Sequence, residues 1–134
     1  NLRHMCDEVH KWDSLAGVEF NHMGIAANNL ATRSASPSPS TSSSDWMMGA
    51  TSHAMDEDDI LRYQNAYVEA SKRAVQTGFD VIYLMGAAGF LPEQFLSKFY
   101  NKRTDKYGGS FENRARFWIE TLAKMKAAVA QAFS

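Results

Sequence analysis

The stretch Asp56 to Met85, DEDDILRYQNAYVEASKRAVQTGFDVIYLM, runs a helix pattern straight into a strand pattern, and its reading decides the fold. Asp56 is a candidate N-cap, and the acidic first turn of Glu57, Asp58 and Asp59 complements the positive end of a helix dipole. Ile60, Tyr63, Tyr67, Ala70 and Ala74 recur at helical spacing, and Gly78 offers a left-handed C-terminal residue. A helix is therefore predicted to about Gln76. Asp80 to Met85 is mostly apolar and rich in strand formers, the pattern of a strand buried on both faces in a parallel sheet.

Upstream, Leu2 to Trp12 reads as the tail of an amphipathic helix and Ala16 to Asn21 as a short strand with a buried carboxylate position at Glu19. The order is thus α, β, α, β, which contains one β-loop-α-β unit. Between the two strands no helical or alternating period persists over about residues 22–55, and the Ser/Pro-rich run Ser34 to Ser44 predicts a loop of extended backbone. Downstream, Gly86 to Gly89 turns the chain, Pro92 to Ser97 suggests a short helix, and Asn101 to Gly109 is a polar loop. Ser110 then caps a last helix whose expected apolar stripe is Phe111, Ala115, Trp118, Leu122, Met125 and Val129. Two parallel strands leave both edges unpaired and the helices without enough sheet to cover, so the remaining strands are expected outside this chain.

Composition agrees with one packed unit. At 134 residues with 45% apolar, 22% charged and 12% aromatic side chains, the chain sits in the globular range and is long enough for a core. Its net charge of -1 supplies no field that would gather nucleic acid or an anionic membrane. The single cysteine, Cys6, excludes an internal disulfide and any multi-cysteine metal cage; its helical spacing with Leu2, Met5 and Val9 makes it a packing thiol. The longest near-apolar run, Val81 to Leu91, holds Gly86 and Gly89 and falls well short of the roughly 20 residues of a membrane span. With no export pattern at its start, a cytoplasmic location is the expectation.

The segment from Gln94 to Leu122, QFLSKFYNKRTDKYGGSFENRARFWIETL, resembles the old yellow enzyme family, and within it the trimethylamine, dimethylamine and histamine dehydrogenase branch. Ala16 to Gly24 resembles the third barrel strand of that family and Asp80 to Leu91 the fourth. The resemblance implies an α/β fold: part of a TIM (β/α)8 barrel, with about two of its parallel strands and their helices. Residues 1–134 would then be an internal fragment of one FMN-binding barrel domain, inactive in isolation. An iron-sulfur cluster, as in the amine dehydrogenases, is implied as possible for the complete protein and not for this chain. So is a homo-oligomer.

The same resemblance assigns site residues. Glu19 stands where family members present a Gln or Glu to the polar edge of the flavin pyrimidine ring; the alternative is an ordinary salt bridge at the core edge. His22 and Met23 follow at the strand end and face the substrate pocket, His22 shaping it rather than moving protons. At the end of the fourth strand the family shows a His or Tyr, a His or Asn, and a Tyr, which hold a substrate carbonyl and donate a proton, or handle an amine. This chain has Met85, Ala88 and Phe90 there, so it offers pocket shape, no catalytic residue to name, and no metal ligands.

The implied function is FMN-dependent dehydrogenation or oxidative dealkylation of a methylated amine or a similar small substrate; the alternative is a barrel-derived ligand-binding or vestigial protein without turnover. The segment Asn101 to Ser110 is read as scaffold for the barrel mouth through an Arg103–Asp105 pair, with direct ligand contact as the alternative. Trp46, Met47 and Met48 form either a lid with an aromatic cage or a merely mobile loop.

Overall fold

The computed structural model describes residues 1–27, 33–44 and 50–132. Among them are the helices α1 (Leu2–His10), α2 (Glu57–Thr77), α3 (Leu91–Leu96) and α4 (Phe111–Ala132). The strands are β1 (Gly17–Phe20), β2 (Pro37–Ser38), β3 (Ser43–Ser44), β4 (Ala50–Thr51), β5 (His53–Ala54) and β6 (Val81–Leu84). β1 and β6 pair in parallel, from Gly17 opposite Val81 to Phe20 opposite Leu84, with α2 crossing between them. No further strand joins this pair among the described residues, so each strand has a free edge.

Among the described residues of 22–55, short paired strands stand where a loop is expected. A 3-10 turn spans Gly24–Ala26, β2 pairs with β5 in parallel, and β3 pairs with β4 antiparallel. Strands this short show no alternation for a sequence to reveal. Of these strands β2 is the buried one, and hydroxyls satisfy it: Ser38 Oγ donates to the buried Ser52 Oγ at 2.7 Å, and Ser52 Oγ accepts the Ser42 N–H at 3.0 Å. Trp46, Met47 and Met48 lie outside the described residues.

The start of α2 is a capping box. Asp59 N–H donates to the Asp56 carboxylate at 2.8 Å, Asp59 reaches back to the Asp56 N–H at 3.4 Å, and Gly78 closes the helix at φ 104°. Its buried seam is Ile60, Gln64, Tyr67, Ser71 and Ala74. The expected stripe is correct at Ile60, Tyr67 and Ala74. The intervening Gln64 and Ser71 are polar residues whose partners lie within the fold: Gln64 bonds Glu120 and Lys124 of α4, and Ser71 Oγ donates to the Tyr67 carbonyl at 2.8 Å.

On α4 the expected stripe is rotated. Ala115 and Met125 are buried, but Arg114, Phe117, Thr121 and Ala128 complete the seam, while Phe111 is 60% and Leu122 44% exposed. The reason is chemical. Thr121 Oγ1 donates to the Phe117 carbonyl at 2.6 Å, and Arg114 donates to the carbonyls of Leu96 (2.7 Å) and Gly109 (2.5 Å), so polar side chains enter the core satisfied. Phe117 stacks on Phe95 with centroids 4.3 Å apart and planes at 10°. Each of these fully buried rings contributes about 1.5–3 kcal/mol by leaving water.

The two faces of the β1–β6 pair differ. Val18, Phe20, Ile82 and Leu84 pack against the helices, into a cluster that includes Ile60, Phe95 and Phe117 or one built on Cys6, Ala16, Ala74 and Phe79. The opposite face carries Glu19 and its register partner Tyr83, both exposed, Tyr83 at 59%. Glu19 is therefore not the buried position expected, and β6 is covered on one face rather than two. In a closed barrel that bare face is the interior, where the side chains of other strands supply the cover.

Candidate functional site

The site lies at the C-terminal ends of β1 and β6, which are tied by the backbone. Met85 N–H donates to Phe20 O and Leu91 N–H to His22 O, both at 2.8 Å. After β1 the chain passes Asn21, His22 and Met23 into the turn at Gly24, which sits at φ 56°. His22 Nδ1 accepts the Gly24 N–H at 2.9 Å, which assigns the proton to Nε2. The ring meets Tyr63 edge-on at 4.9 Å, and burial lowers the imidazole pKa.

After β6 the backbone takes two successive left-handed residues, Ala88 at φ 55° and Gly89 at φ 76°. For alanine that conformation costs about 1–2 kcal/mol. It is held in place from α3: the Glu93 carboxylate accepts the Gly89 N–H at 2.6 Å, and Gln94 Nε2 donates to the Gly89 carbonyl at 2.6 Å. Gly86 has no room for a side chain, because a Cβ there would come within 1.9 Å of the Trp118 indole.

Met23, Ala88 and Phe90 come together along one cleft of about 610 Å³, joined by Ile25, Glu93 and Tyr100. Glu19 and His22 border a second cleft of about 430 Å³, beside Tyr63 and Tyr67. Met85, half-buried, lines neither. The Tyr67 hydroxyl is buried without a hydrogen-bond partner among the described residues, and burial raises its pKa.

From the sequence, Tyr67 is named only in the apolar stripe of α2, and Glu93 and Gln94 are given no role at the site. The available signal was a polar pair inside a short helix otherwise made of Leu91, Pro92, Phe95 and Leu96, directly behind a glycine turn.

The Asn101 to Ser110 segment is fastened inward. Arg103 Nε donates to both oxygens of Asp105 at 3.0 and 3.1 Å, and its Nη1 donates to Pro39 O at 2.9 Å and to Met55 O. Arg103 holds the Asp105 carboxyl below the usual range. A Cβ on Gly108 would lie 2.1 Å from the Arg103 carbonyl oxygen, which explains one of the two glycines. With its donors used on Asp105, Pro39 and Met55, Arg103 acts as scaffold for the Ser-rich segment.

Parallel strands crossed by helices, with clefts at their C-terminal ends, define part of a (β/α)8 barrel, the class that places its active sites at that end. The chain belongs to the NADH:flavin oxidoreductase / NADH oxidase family, whose model matches residues 1–133. It is 47% identical over 135 residues to dimethylamine dehydrogenase of Hyphomicrobium sp. (strain x), across 96% of this chain and 18% of that one. Its structure is similar to histamine dehydrogenase from Rhizobium sp. 4-9, with a TM-score of 0.88 and 36% identity over 98% of this chain and 19% of that one. An old yellow enzyme homologue from Zymomonas mobilis superposes with a TM-score of 0.89 at 25% identity, over 98% of this chain and 39% of that one. The chain thus spans a minor part of each relative. No described helix is long and apolar enough to cross a membrane.

Proposed function

We propose that the complete protein is an FMN-dependent oxidoreductase that dehydrogenates a methylated amine or a similar small amine, and that this chain supplies one flavin contact and part of the substrate pocket. The observation that carries the reading is the apolar end of β6, where Met85, Ala88 and Phe90 offer no proton donor while Glu19 is kept on β1. When bound, FMN supplies the hydride acceptor. Glu19 fits the polar edge of that cofactor: it stands on the bare face of the pair, and among the described residues no donor reaches its carboxylate. Met23, Ala88 and Phe90 give the cleft an apolar wall, which suits a reaction that needs alignment more than acid-base help. Reduction of an enone needs a proton donor that this strand lacks. In structural superposition the 36% identity to histamine dehydrogenase, against 25% to the old yellow enzyme homologue, supports the amine. An iron-sulfur cluster and a homo-oligomer belong to the same proposal for the complete protein.

The same three side chains favour a second reading, a barrel that binds its ligand without turnover. Anaerobic addition of dimethylamine, trimethylamine or histamine to the complete flavoprotein separates them. Bleaching of the flavin supports the amine reading. Reduction by NADH alone, with enone turnover, overturns it, and a flavin that no reductant bleaches favours the second.

A further inference from the structure

We propose that Gln94 is a positioning residue: its side-chain amide fastens the loop after β1 to the loop after β6 and so sets the width of the cleft between Met23 and Phe90. The inference rests on the reading of that cleft as the substrate pocket. Gln94 is fully buried. Its Oε1 accepts the Ile25 N–H at 3.1 Å, and its Nε2 donates to the carbonyls of Met23 at 2.9 Å and Gly89 at 2.6 Å. One planar group therefore satisfies backbone atoms of both loops. An amide is suited to this by carrying a double acceptor and a double donor on one side chain. Leucine in its place would leave the Ile25 N–H and the Gly89 carbonyl without a partner, and the Met23 carbonyl with the Ala26 N–H alone.

Two neighbours show that the backbone is arranged around this amide. Gly24 takes a left-handed φ of 56°, and a Cβ there would lie 2.2 Å from Gln94 Oε1, so the glycine admits the side chain. On the other loop Glu93 takes the Gly89 N–H while Gln94 takes the Gly89 carbonyl, which pins the peptide groups on both sides of Gly89, next to the strained Ala88. Strain of this kind persists when its surroundings over-determine it. Met23, Ala88 and Phe90, the cleft residues, are the neighbours of the atoms held.

The test compares Q94L and Q94E with Q64L in the complete flavoprotein. Gln64 is equally buried, but it bonds Glu120 and Lys124 on the outer helices, far from both loops in the chain. We expect Q94L and Q64L both to lower the thermal midpoint. Only Q94L is expected to lower kcat/KM for dimethylamine, by about a hundredfold per flavin bound, as a misplaced pocket wall does. Q94E is expected to regain activity as pH falls, because a protonated carboxyl recovers a donor for one of the two carbonyls; wild type shows no such gain. Amide exchange at Ile25 is read alongside and should quicken in Q94L but not in Q64L, whereas Q94E keeps an oxygen acceptor for that N–H. Kinetic losses that follow thermal stability alike in Q94L and Q64L overturn the positioning role. If dimethylamine leaves the wild-type flavin oxidised, the amine reading fails, and the exchange still decides: unchanged protection at Ile25 overturns the tie. Should Q94L fail to fold, Q94M, nearer in shape and likewise without the amide, takes its place in both readouts.

Discussion

The ends of β1 and β6 lie side by side in register and carry opposite chemistry. The β1 end keeps Glu19 on the bare face and His22, whose ring nitrogen is occupied by the Gly24 N–H. The β6 end, from Met85 to Phe90, has no titratable side chain, and its polar groups come from α3, where Glu93 and Gln94 are used on the backbone of Gly89. The difference teaches that loop geometry and reactive chemistry are separable. Ala88 holds the left-handed backbone of a position where the family resemblance expects His or Asn, types that adopt it more readily.

The comparison breaks most visibly at the glycines of the two strand segments. Gly86→Ala forces a methyl into the Trp118 indole and is expected to destabilise the complete protein by about 3 kcal/mol, the upper range for overpacking. Gly17→Ala places its methyl 3.7 Å from Tyr83, an ordinary contact, and should be neutral or slightly stabilising, since glycine in a strand costs about 0.5–1 kcal/mol relative to alanine. Thermal midpoints check both. Equal losses at the two positions would mean that Trp118 moves aside freely.

A smaller effect sharpens the polar side of the contrast. Glu19→Leu is expected to weaken FMN binding about tenfold, the effect of one unpaired hydrogen-bonding group, while Glu19→Gln keeps an acceptor and stays near wild type. Fluorescence titration of the apoprotein measures both. Wild-type affinity in Glu19→Leu would favour the alternative reading of Glu19, a salt bridge at the core edge. Smaller still, Ala88→Asn should raise stability by about 0.5–1 kcal/mol by easing the left-handed backbone. A lower melting midpoint in that variant would show that the cleft beside Ala88 does not tolerate the larger side chain.

How much of this was legible depends on where each residue's partner lies. The β1–α2–β6 order, the Asp56 cap and the Gly78 stop are local, so composition and spacing over neighbouring residues revealed them. The seam of α4 was misplaced because Arg114 and Thr121 enter the core with their polar groups satisfied by backbone, which a hydropathy pattern scores as surface. Glu19 and Tyr83 were expected buried because the sequence pattern is that of a whole barrel, whereas the described residues cover one face of the pair. At the site, Met85, Ala88 and Phe90 stood out through the family resemblance. Gln94 did not, because its role is carried by backbone atoms of Met23, Ile25 and Gly89, and those atoms are the same in every sequence.

The least of the expected effects is a pH dependence confined to the β1 end. Burial holds the His22 pKa below its ordinary 6.5, so as pH falls through that value the unfolded chain takes up the proton before the folded one. Stability contributed by keeping the ring neutral is complete above 6.5 and declines as pH drops toward the folded-state pKa, below which the slope vanishes. His22→Gln keeps an acceptor for the Gly24 N–H and removes the titration, so its melting midpoint should vary less than wild type between about pH 5 and 7.5. At lower pH both proteins should weaken together, since Arg103 holds the Asp105 carboxyl low and His10 does the same for Asp80, and neither pair involves His22. Parallel curves in the upper range would mean that the ring is solvated in the complete barrel, and the contrast between the strand ends would then rest on Glu19 alone.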